Sequence, residues 1–123
     1  MQRLFLSLIL SMAAQCQDWN LIQQVPAKAA FKTNPMESDG RARRAGAKLF
    51  ARECAACHGV NAEGSKKAPP LRNSDVHHAP AGTLFWILEN GSLHRGMPSF
   101  AHLPEAQRWQ IVTFLHSLAQ KEE

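Results

Sequence analysis

The sequence predicts an all-α domain, and two observations lead to this prediction. Apolar residues recur at helical spacing in three stretches of the 123-residue chain, each bounded by capping or helix-breaking residues. The segments between these stretches are rich in Pro and Gly, and no alternating strand pattern flanks the Cys54–Cys57 pair. The length allows one domain once terminal segments are set aside.

The chain starts with the layout of a secretory signal peptide. A positive charge at Arg3 is followed by the apolar run Leu4–Leu10, and residues 11–14 supply small residues for cleavage. The run is far shorter than the ~20 apolar residues that a membrane-spanning helix needs. We therefore expect residues 1–15 to be a signal peptide and the protein to be periplasmic or otherwise exported.

Residues 16–35 are predicted to be an N-terminal arm or tether, because their apolar residues are too sparse for a separate core. Cys16 is the odd one of three cysteines. Lipidation of Cys16 would associate the protein with a membrane, but Gln15 is unfavourable in front of a lipidated cysteine. A spare thiol on a flexible end is the favoured interpretation.

The first predicted helix begins at a cap supplied by Ser38 or Asp39 and runs to Cys57. Gly46 lies in its interior, where Gly is about 1 kcal/mol less favourable than Ala. This position therefore needs a reason for its glycine. We expect a second helix to cross closely there.

A C-x-x-C-H motif, Cys54–Ala55–Ala56–Cys57–His58, ends this helix just before Gly59. Two thiols and an imidazole share one side of a helical turn, a pattern typical of covalent c-type haem attachment. Cys54 and Cys57 would form thioethers, and His58 would coordinate the iron. A thioredoxin-like pair needs a βαβ context and a structural zinc site needs four ligands, and the sequence offers neither. We therefore predict one covalently bound haem c.

Two further helices are predicted beyond a long loop. Residues 59–82 contain Pro and Gly without periodicity and are expected to be loop. Thr83–Asn90 is apolar nearly all round, which indicates a short helix buried on more than one side. The last helix has Pro104 at its first position and runs to about Gln120, with Thr113 on its polar face.

The iron would need a ligand opposite His58 or would keep an open sixth position. Met97 is favoured, because it lies between Gly96 and Pro98 on a loop far enough along the chain to reach the other face of the haem. His and Met ligands together close the iron to small molecules and raise the reduction potential. The other candidates that stay open are Met36, His77, His78, His94 and His102, or no ligand.

The order of these features resembles the class I (mono-haem) c-type cytochromes: helix, C-A-A-C-H, Pro-rich loop, short helix, G-M-P-S-F and terminal helix. The sequence is most similar to small bacterial electron carriers and to the cytochrome c domains of oxidoreductases. The resemblance covers residues 38–120, within a domain that we predict over residues 36–123. It implies the cytochrome c fold, in which a few helices wrap around one covalently attached haem.

The resemblance also implies roles for single residues. The last helix would cross at Gly46, and the contacts there would come from Trp109, Val112 and Leu115. The carbonyl of Pro69 would accept the second ring N–H of His58 and fix the orientation of the ring. The residues expected in the haem wall are Leu71, Phe85, Trp86, Leu88 and Phe100.

The implied function is one-electron transfer, without catalysis, between exported or membrane redox partners of a respiratory chain. A charge of +4 scattered along the chain is too small to indicate nucleic-acid binding. The protein would meet a membrane only through its partner, an uncleaved signal peptide or lipidated Cys16. The basic residues that could steer an acidic partner, or merely solvate loops, are Lys66, Lys67, Arg72 and Arg95.

Several alternatives stay open at this point. The chain could be a haem subunit or domain of a periplasmic dehydrogenase or oxidase complex. An open-site haem enzyme or sensor would require that Met97 does not bind the iron. His77 and His78 are expected to be solvated loop residues, with a hydrogen bond to a haem propionate as the alternative, and Arg95 could pair with a propionate. His116 is expected at the surface.

Overall fold

The computed structural model describes residues 20–118. The predicted signal peptide (residues 1–15), Cys16 and the predicted end of the last helix at Gln120 lie outside the described residues. Within them the chain forms six α-helices: Leu21–Gln24 (α1), Gly40–Glu53 (α2), Ala55–His58 (α3), Ser74–His78 (α4), Ala81–Asn90 (α5) and Glu105–Leu118 (α6).

Two 3₁₀ turns, Ala27–Phe31 and Leu93–Arg95, complete the regular structure of this part of the chain. Pairing of extended backbone over residues 20–118 is limited to one antiparallel bridge between Ser92 and Met97. The all-α prediction is therefore confirmed. Among the same residues, we find no helix with the length and apolar character needed to cross a bilayer.

Helix α2 begins at Gly40 with Asp39 as its N-cap, one of the two predicted caps, but it does not run unbroken to Cys57. The Asp39 carboxylate accepts hydrogen bonds from the backbone N–H groups of Arg41 and Ala42, which lower the pKa of this carboxyl. The helix ends at Glu53, and Cys54 is its C-cap, with a φ of −119°. The C-x-x-C-H motif therefore lies on a short helix of its own, α3.

The close helix crossing at Gly46 is confirmed, between α2 and α6. A Cβ at Gly46 would overlap the backbone carbonyl of Gln110 and lie 2.9 Å from Cβ of Phe114. The neighbours are therefore Gln110 and Phe114, which correct the expectation of Trp109, Val112 and Leu115. Those three residues are buried on the core side of α6 instead. Residues 110 and 114 are four apart and form the ridge that meets α2.

The prediction that residues 59–82 are all loop is wrong, because they contain α4 and the start of α5. Asn73 caps α4 by accepting a hydrogen bond from the N–H of Val76 at 2.9 Å, and Val76 is buried. Helix α5 begins at Ala81, two residues before the predicted start at Thr83, which is itself buried. A five-residue helix shows too little of a period to stand out beside prolines.

The polar face of α6 is covered by protein, not by solvent. Thr113 is 3% exposed, and its hydroxyl donates to the Met36 carbonyl at 3.1 Å. His116 is half-buried, with Nδ1 2.7 Å from a Glu37 carboxylate oxygen and Nε2 2.9 Å from the Ala79 carbonyl oxygen. The expectation that Thr113 and His116 face water is therefore wrong. Their polar groups bond to the segment that leads into α2 and to the turn before α5.

The segment from residue 20 to residue 35 packs on α5 and α6. A Cβ at Gly82 in α5 would overlap the carbonyl oxygens of Ala29 and Lys32, so the segment and the helix touch through backbone atoms. The Lys32 ammonium lies 4.3 Å from the centre of the Phe85 ring, within range of a cation–π contact. Helix α1 at the start of this segment reaches the cavity described next.

Candidate haem site

The C-x-x-C-H turn faces a cavity of about 400 Å³, lined by Cys54, Cys57 and His58. Cys54 is buried, whereas Cys57 and His58 are half-buried. Burial raises the pKa of the Cys54 thiol to about 12, with smaller contributions from Glu53 and Cys57. The turn is held by the Cys54 carbonyl, which accepts from the N–H groups of Cys57 (3.2 Å) and His58 (3.0 Å). Two thiols and an imidazole therefore line one cavity.

The His58 ring has a fixed orientation. Its Nδ1 lies 2.8 Å from the carbonyl oxygen of Pro69. Because a carbonyl can only accept, Nδ1 carries the proton and donates, which leaves the lone pair of Nε2 free to bind a metal. This is the hydrogen bond that the resemblance implies, and a ligand histidine in a metal site ordinarily has such a partner.

The loop after the motif holds Pro69 in place. The N–H of Gly64 donates to the His58 carbonyl at 2.8 Å, and the hydroxyl of Ser65 donates to the Cys57 carbonyl at 2.6 Å. Gly64 has a φ of +85°, and a Cβ there would come within 2.6 Å of the Pro70 nitrogen. The chain therefore folds back on the motif, which brings the Pro69 carbonyl to the ring of His58.

Met97 lines the same cavity from a loop that is closed by its own backbone. Ser92 and Met97 exchange two hydrogen bonds: the Ser92 N–H donates to the Met97 carbonyl at 2.8 Å, and the Met97 N–H donates to the Ser92 carbonyl at 3.0 Å. Gly96 adopts the left-handed conformation that this tight turn needs, at φ +81°. The N–H of Phe100 then donates to the Leu88 carbonyl at 2.7 Å and fastens the loop to α5.

The cavity distinguishes among the candidate sixth ligands. All six candidates lie in the part of the chain that the structure describes, and Met97 is the one that lines the cavity. Met36, His77, His78, His94 and His102 lie outside its wall. His77 and His78 belong to α4, where His78 Nδ1 is 2.8 Å from the Ser74 carbonyl oxygen.

The apolar wall comes from several parts of the chain, and its composition corrects the sequence prediction in part. Leu71, Leu88 and Phe100 are in the wall as expected, but Phe85 and Trp86 are not. Phe85 stacks on Trp109, with ring centres 4.0 Å apart. The large apolar residues of the wall are Leu21, Ile22, Phe50, Leu71, Val76, Leu84, Ile87, Leu88, Phe100, Ile111 and Leu115.

Helical spacing explains the correction at α5. Leu84, Ile87 and Leu88 are three and four residues apart and therefore share a face, which is the face turned to the cavity. Phe85 and Trp86 point to other sides of a helix that is apolar nearly all round. The four-residue spacing of Leu84 and Leu88 indicates the face that meets the cavity. The large aromatic side chains of Phe85 and Trp86 suggest haem contact but lie off that face.

The side chain of Arg95 indicates what kind of group the cavity could bind. Its guanidinium lines the cavity, and one terminal nitrogen, Nη2, is buried without a hydrogen-bond partner among the described residues. A buried, unpaired guanidinium N–H is unfavourable unless an anionic group meets it. The groups around the cavity fit haem. The apolar wall and the two thiols suit the macrocycle, the imidazole with its free Nε2 and the thioether suit the iron, and the guanidinium suits the propionates.

Two of the four candidate steering residues have structural contacts instead. The Arg72 guanidinium donates to the carbonyls of Asn61 and Leu118, and Arg95 points into the cavity. Lys66 and Lys67 are exposed. The basic surface next to the cavity that is free to meet a partner is therefore this lysine pair.

An all-α domain with a C-x-x-C-H turn and a methionine loop on one apolar cavity defines a c-type cytochrome domain. Residues 41–115 match the family described as cytochrome c oxidase, cbb3-type, subunit III, and the chain belongs to this family. The family indicates an electron-transfer haem protein that is not itself a catalytic enzyme.

Two known proteins show how far the similarity extends. The CcoP subunit of the cbb3-type cytochrome c oxidase of Rubrivivax gelatinosus is 42% identical over 59 residues, which are 46% of this chain and 19% of that protein. The chain thus matches less than a fifth of its relative's length. Cytochrome CL of Methylophaga aminisulfidivorans superimposes with a TM-score of 0.61 at 23% identity, over 87% of this chain and 71% of the other. At that identity the likeness concerns the fold.

Proposed function

We propose that this chain carries single electrons through one haem c, attached by thioethers at Cys54 and Cys57 and bound axially by His58 and Met97. The observation that carries the proposal is the shared cavity: the motif turn lines one part of its wall and the Met97 loop another. The hydrogen bond from His58 to Pro69 supports it, because it prepares Nε2 for a metal. The bound haem would supply a ferrous/ferric one-electron couple.

The residues of the chain would make electron transfer fast and would keep other reactants away from the iron. His58 is oriented by Pro69, and the Met97 loop is closed by paired backbone hydrogen bonds, so both ligands are held before the cofactor binds. Fixed ligands change little in geometry between oxidation states. If His58 and Met97 both bind the iron, small molecules would not reach it, which disfavours an open-site enzyme or sensor.

The apolar wall would set the direction in which the potential is tuned. Leu and Phe side chains exclude water and so disfavour the more highly charged ferric state. Thioether ligation acts in the same direction. The site is thus suited to a higher potential than an equivalent haem exposed to water.

The family suggests the setting in which the electrons move. We propose a redox donor and acceptor in a cbb3-type oxidase context, with this chain acting as a haem subunit or as a carrier that docks there. The exposed pair Lys66 and Lys67 would face an acidic surface on one of these partners. An exported location, through a signal peptide at residues 1–15 or a membrane link at Cys16, belongs to the same proposal.

The spectrum of the matured protein tests the proposal. Haem that stays on the chain after denaturing electrophoresis would establish covalent attachment. A ferric charge-transfer band typical of sulfur ligation, together with slow CO binding by the ferrous form, would support Met97. Rapid CO binding and no sulfur band would favour the open-site alternative, and a matured chain without covalent haem would reject the proposal.

A further inference from the structure

The cavity has a wall that lies outside the family match. Asn20, Leu21 and Ile22, at the start of α1, line the same cavity as Cys54 and Met97, whereas the matched residues begin at 41. Building on the proposed function, we infer that α1 is part of the haem-binding wall and controls the access of water to the cofactor. This assigns a cofactor-binding role to a segment that the sequence indicates only as an arm or tether.

Asn20 fastens α1 to the domain with both ends of its amide. The side-chain oxygen accepts from the N–H of Ile22 at 3.0 Å and caps the helix, while the side-chain nitrogen donates to the Asp75 carboxylate at 3.1 Å. Asp75 lies in α4, so the amide joins two elements across the chain. Ile22 packs against the buried core cluster.

The segment that follows α1 fixes its other end. The backbone of the 3₁₀ turn lies so close to α5 that Gly82 leaves no room for a side chain. Lys32 holds the end of this turn through the Phe85 ring and an ion pair of 3.4 Å with Glu105. Helix α1 is therefore held between Asn20 and the 3₁₀ turn, with its apolar residues turned to the cavity.

A hydrophobic wall at this place has a predictable electrochemical effect. Water next to a haem stabilises the ferric state and lowers the reduction potential, because the ferric state carries the larger charge. Leu21 and Ile22 supply apolar surface from outside residues 41–115, which match the family. Loss of this surface should therefore lower the potential without removing the haem.

The first test replaces the apolar wall in the haem-loaded protein. Ile22→Ser and the double variant Leu21→Ser/Ile22→Ser are compared with Val25→Ser, a half-buried residue of the same segment that is not in the cavity wall. Potentiometric titration followed by the haem spectrum should give a lower midpoint potential for Ile22→Ser and a lower one still for the double variant. Val25→Ser should match the parent.

The second test loosens α1 while its apolar wall residues, Leu21 and Ile22, and the net charge stay unchanged. Asn20→Ser keeps a capping hydroxyl but is too short to reach Asp75. We expect a fall in potential in the same direction as for Ile22→Ser, together with faster hydrogen exchange of the α1 amides. Asp75→Asn, which can still accept the bond, should not speed that exchange.

The outcomes distinguish a failure of the proposed function from a failure of the role inferred for α1. A matured protein without covalent haem rejects the proposed function and this inference with it. Haem-loaded Ile22→Ser and double variants with the parent potential reject the role of α1 alone. A fall of equal size in Val25→Ser would also reject it, because the effect would then not depend on the cavity wall.

Discussion

On one side of the cavity His58 is oriented by a hydrogen bond of its own ring, whereas Met97 is positioned through its backbone. The difference follows from the chemistry of the two side chains. An imidazole has a second N–H that can be bonded, but a thioether is a weak acceptor with no donor. A methionine ligand must therefore be placed by the loop that carries it. The histidine side (Cys54, Cys57, His58 and Pro69) and the methionine side (the loop of residues 91–100) should therefore respond differently to substitution.

The largest effect is expected on the histidine side, from Cys54→Ala/Cys57→Ala. Without the thioethers the haem is lost, and with it several hundred Å² of apolar contact, on the order of 10 kcal/mol before ordering costs. A domain of this size buries a limited core of its own, to which the haem would add. We expect a largely unfolded chain, measured by thermal unfolding in circular dichroism.

The matched control for the cysteine variant is Ala56→Ser, an exposed residue of the same turn. It should keep the covalent haem and unfold like the parent. A cooperative thermal transition of the cysteine-free chain, close to that of the parent, would contradict the view that the haem is part of the core.

The next effect is expected on the methionine side, from Gly91→Ala. Gly91 has a φ of +63°, and a Cβ there would lie 2.6 Å from the Pro98 carbonyl. Strain in the left-handed region and the clash with backbone together should lower the free energy of unfolding by about 3 kcal/mol. Denaturant titration of the haem-loaded variant measures this, and the sulfur band should weaken as the loop shifts.

Gly96→Ala, five residues further along, is the control for that loop. Gly96 has a φ of +81°, but a Cβ there meets nothing within 4 Å. The expected loss is therefore about 1 kcal/mol, from backbone conformation alone. Equal losses at Gly91 and Gly96 would show that packing against Pro98 does not hold the loop.

Met97→Ala separates the ligand from its loop. Truncation of a half-buried methionine should lower the free energy of unfolding by about 2 kcal/mol, and loss of the thioether should also lower the reduction potential and open the iron to CO. The haem should stay attached, because the proposed thioethers at Cys54 and Cys57 do not involve Met97.

Met36→Ala is the control, since Met36 is also half-buried against the core but lies outside the cavity wall. It should lose similar stability, yet leave the potential and CO binding unchanged. A parent-like potential and CO rate in Met97→Ala would mean that the sixth ligand is not Met97.

The two sides also differ in how much of them the sequence predicts. The histidine side is local: the spacing of Cys54, Cys57 and His58 is fixed by one turn, and Pro69 follows eleven residues after His58. Met97 is indicated by its neighbours Gly96 and Pro98. These parts could be predicted because short-range geometry determines them.

The wall could not be predicted as well, because it depends on contacts between distant segments. The face of α5 that meets the cavity depends on how α5 packs on α6 and on the 3₁₀ turn Ala27–Phe31, so the sequence pattern alone does not separate Leu84 and Ile87 from Trp86. Helices α1 and α4 have too few residues to show a periodic pattern, so neither α4 nor the role of α1 could be predicted. The bonds of Thr113 and His116 to the segment before α2 need the tertiary structure in the same way.

The smallest effect is expected at Asp39, at the opposite end of α2 from the motif. The pKa of its carboxyl is lowered by the N–H groups of Arg41 and Ala42. A folded pKa below the unfolded value of about 3.9 means that ionised Asp39 stabilises the protein above that pH, and that this contribution is lost as the pH falls through the folded pKa. Asp39→Asn keeps a capping acceptor without the titration.

Asp39→Asn should therefore unfold nearly like the parent at neutral pH, and its stability should fall less than that of the parent when the solution is acidified below about pH 4. Denaturant titrations at a series of pH values measure the difference, with Ser38→Ala, an exposed neighbour, as the control that keeps the parent profile. Identical dependence of stability on pH in the parent and in Asp39→Asn would show that the ionised Asp39 cap does not stabilise the protein. The midpoint potential should not move, because the cap supports the helix that carries the motif turn and does not touch the cavity.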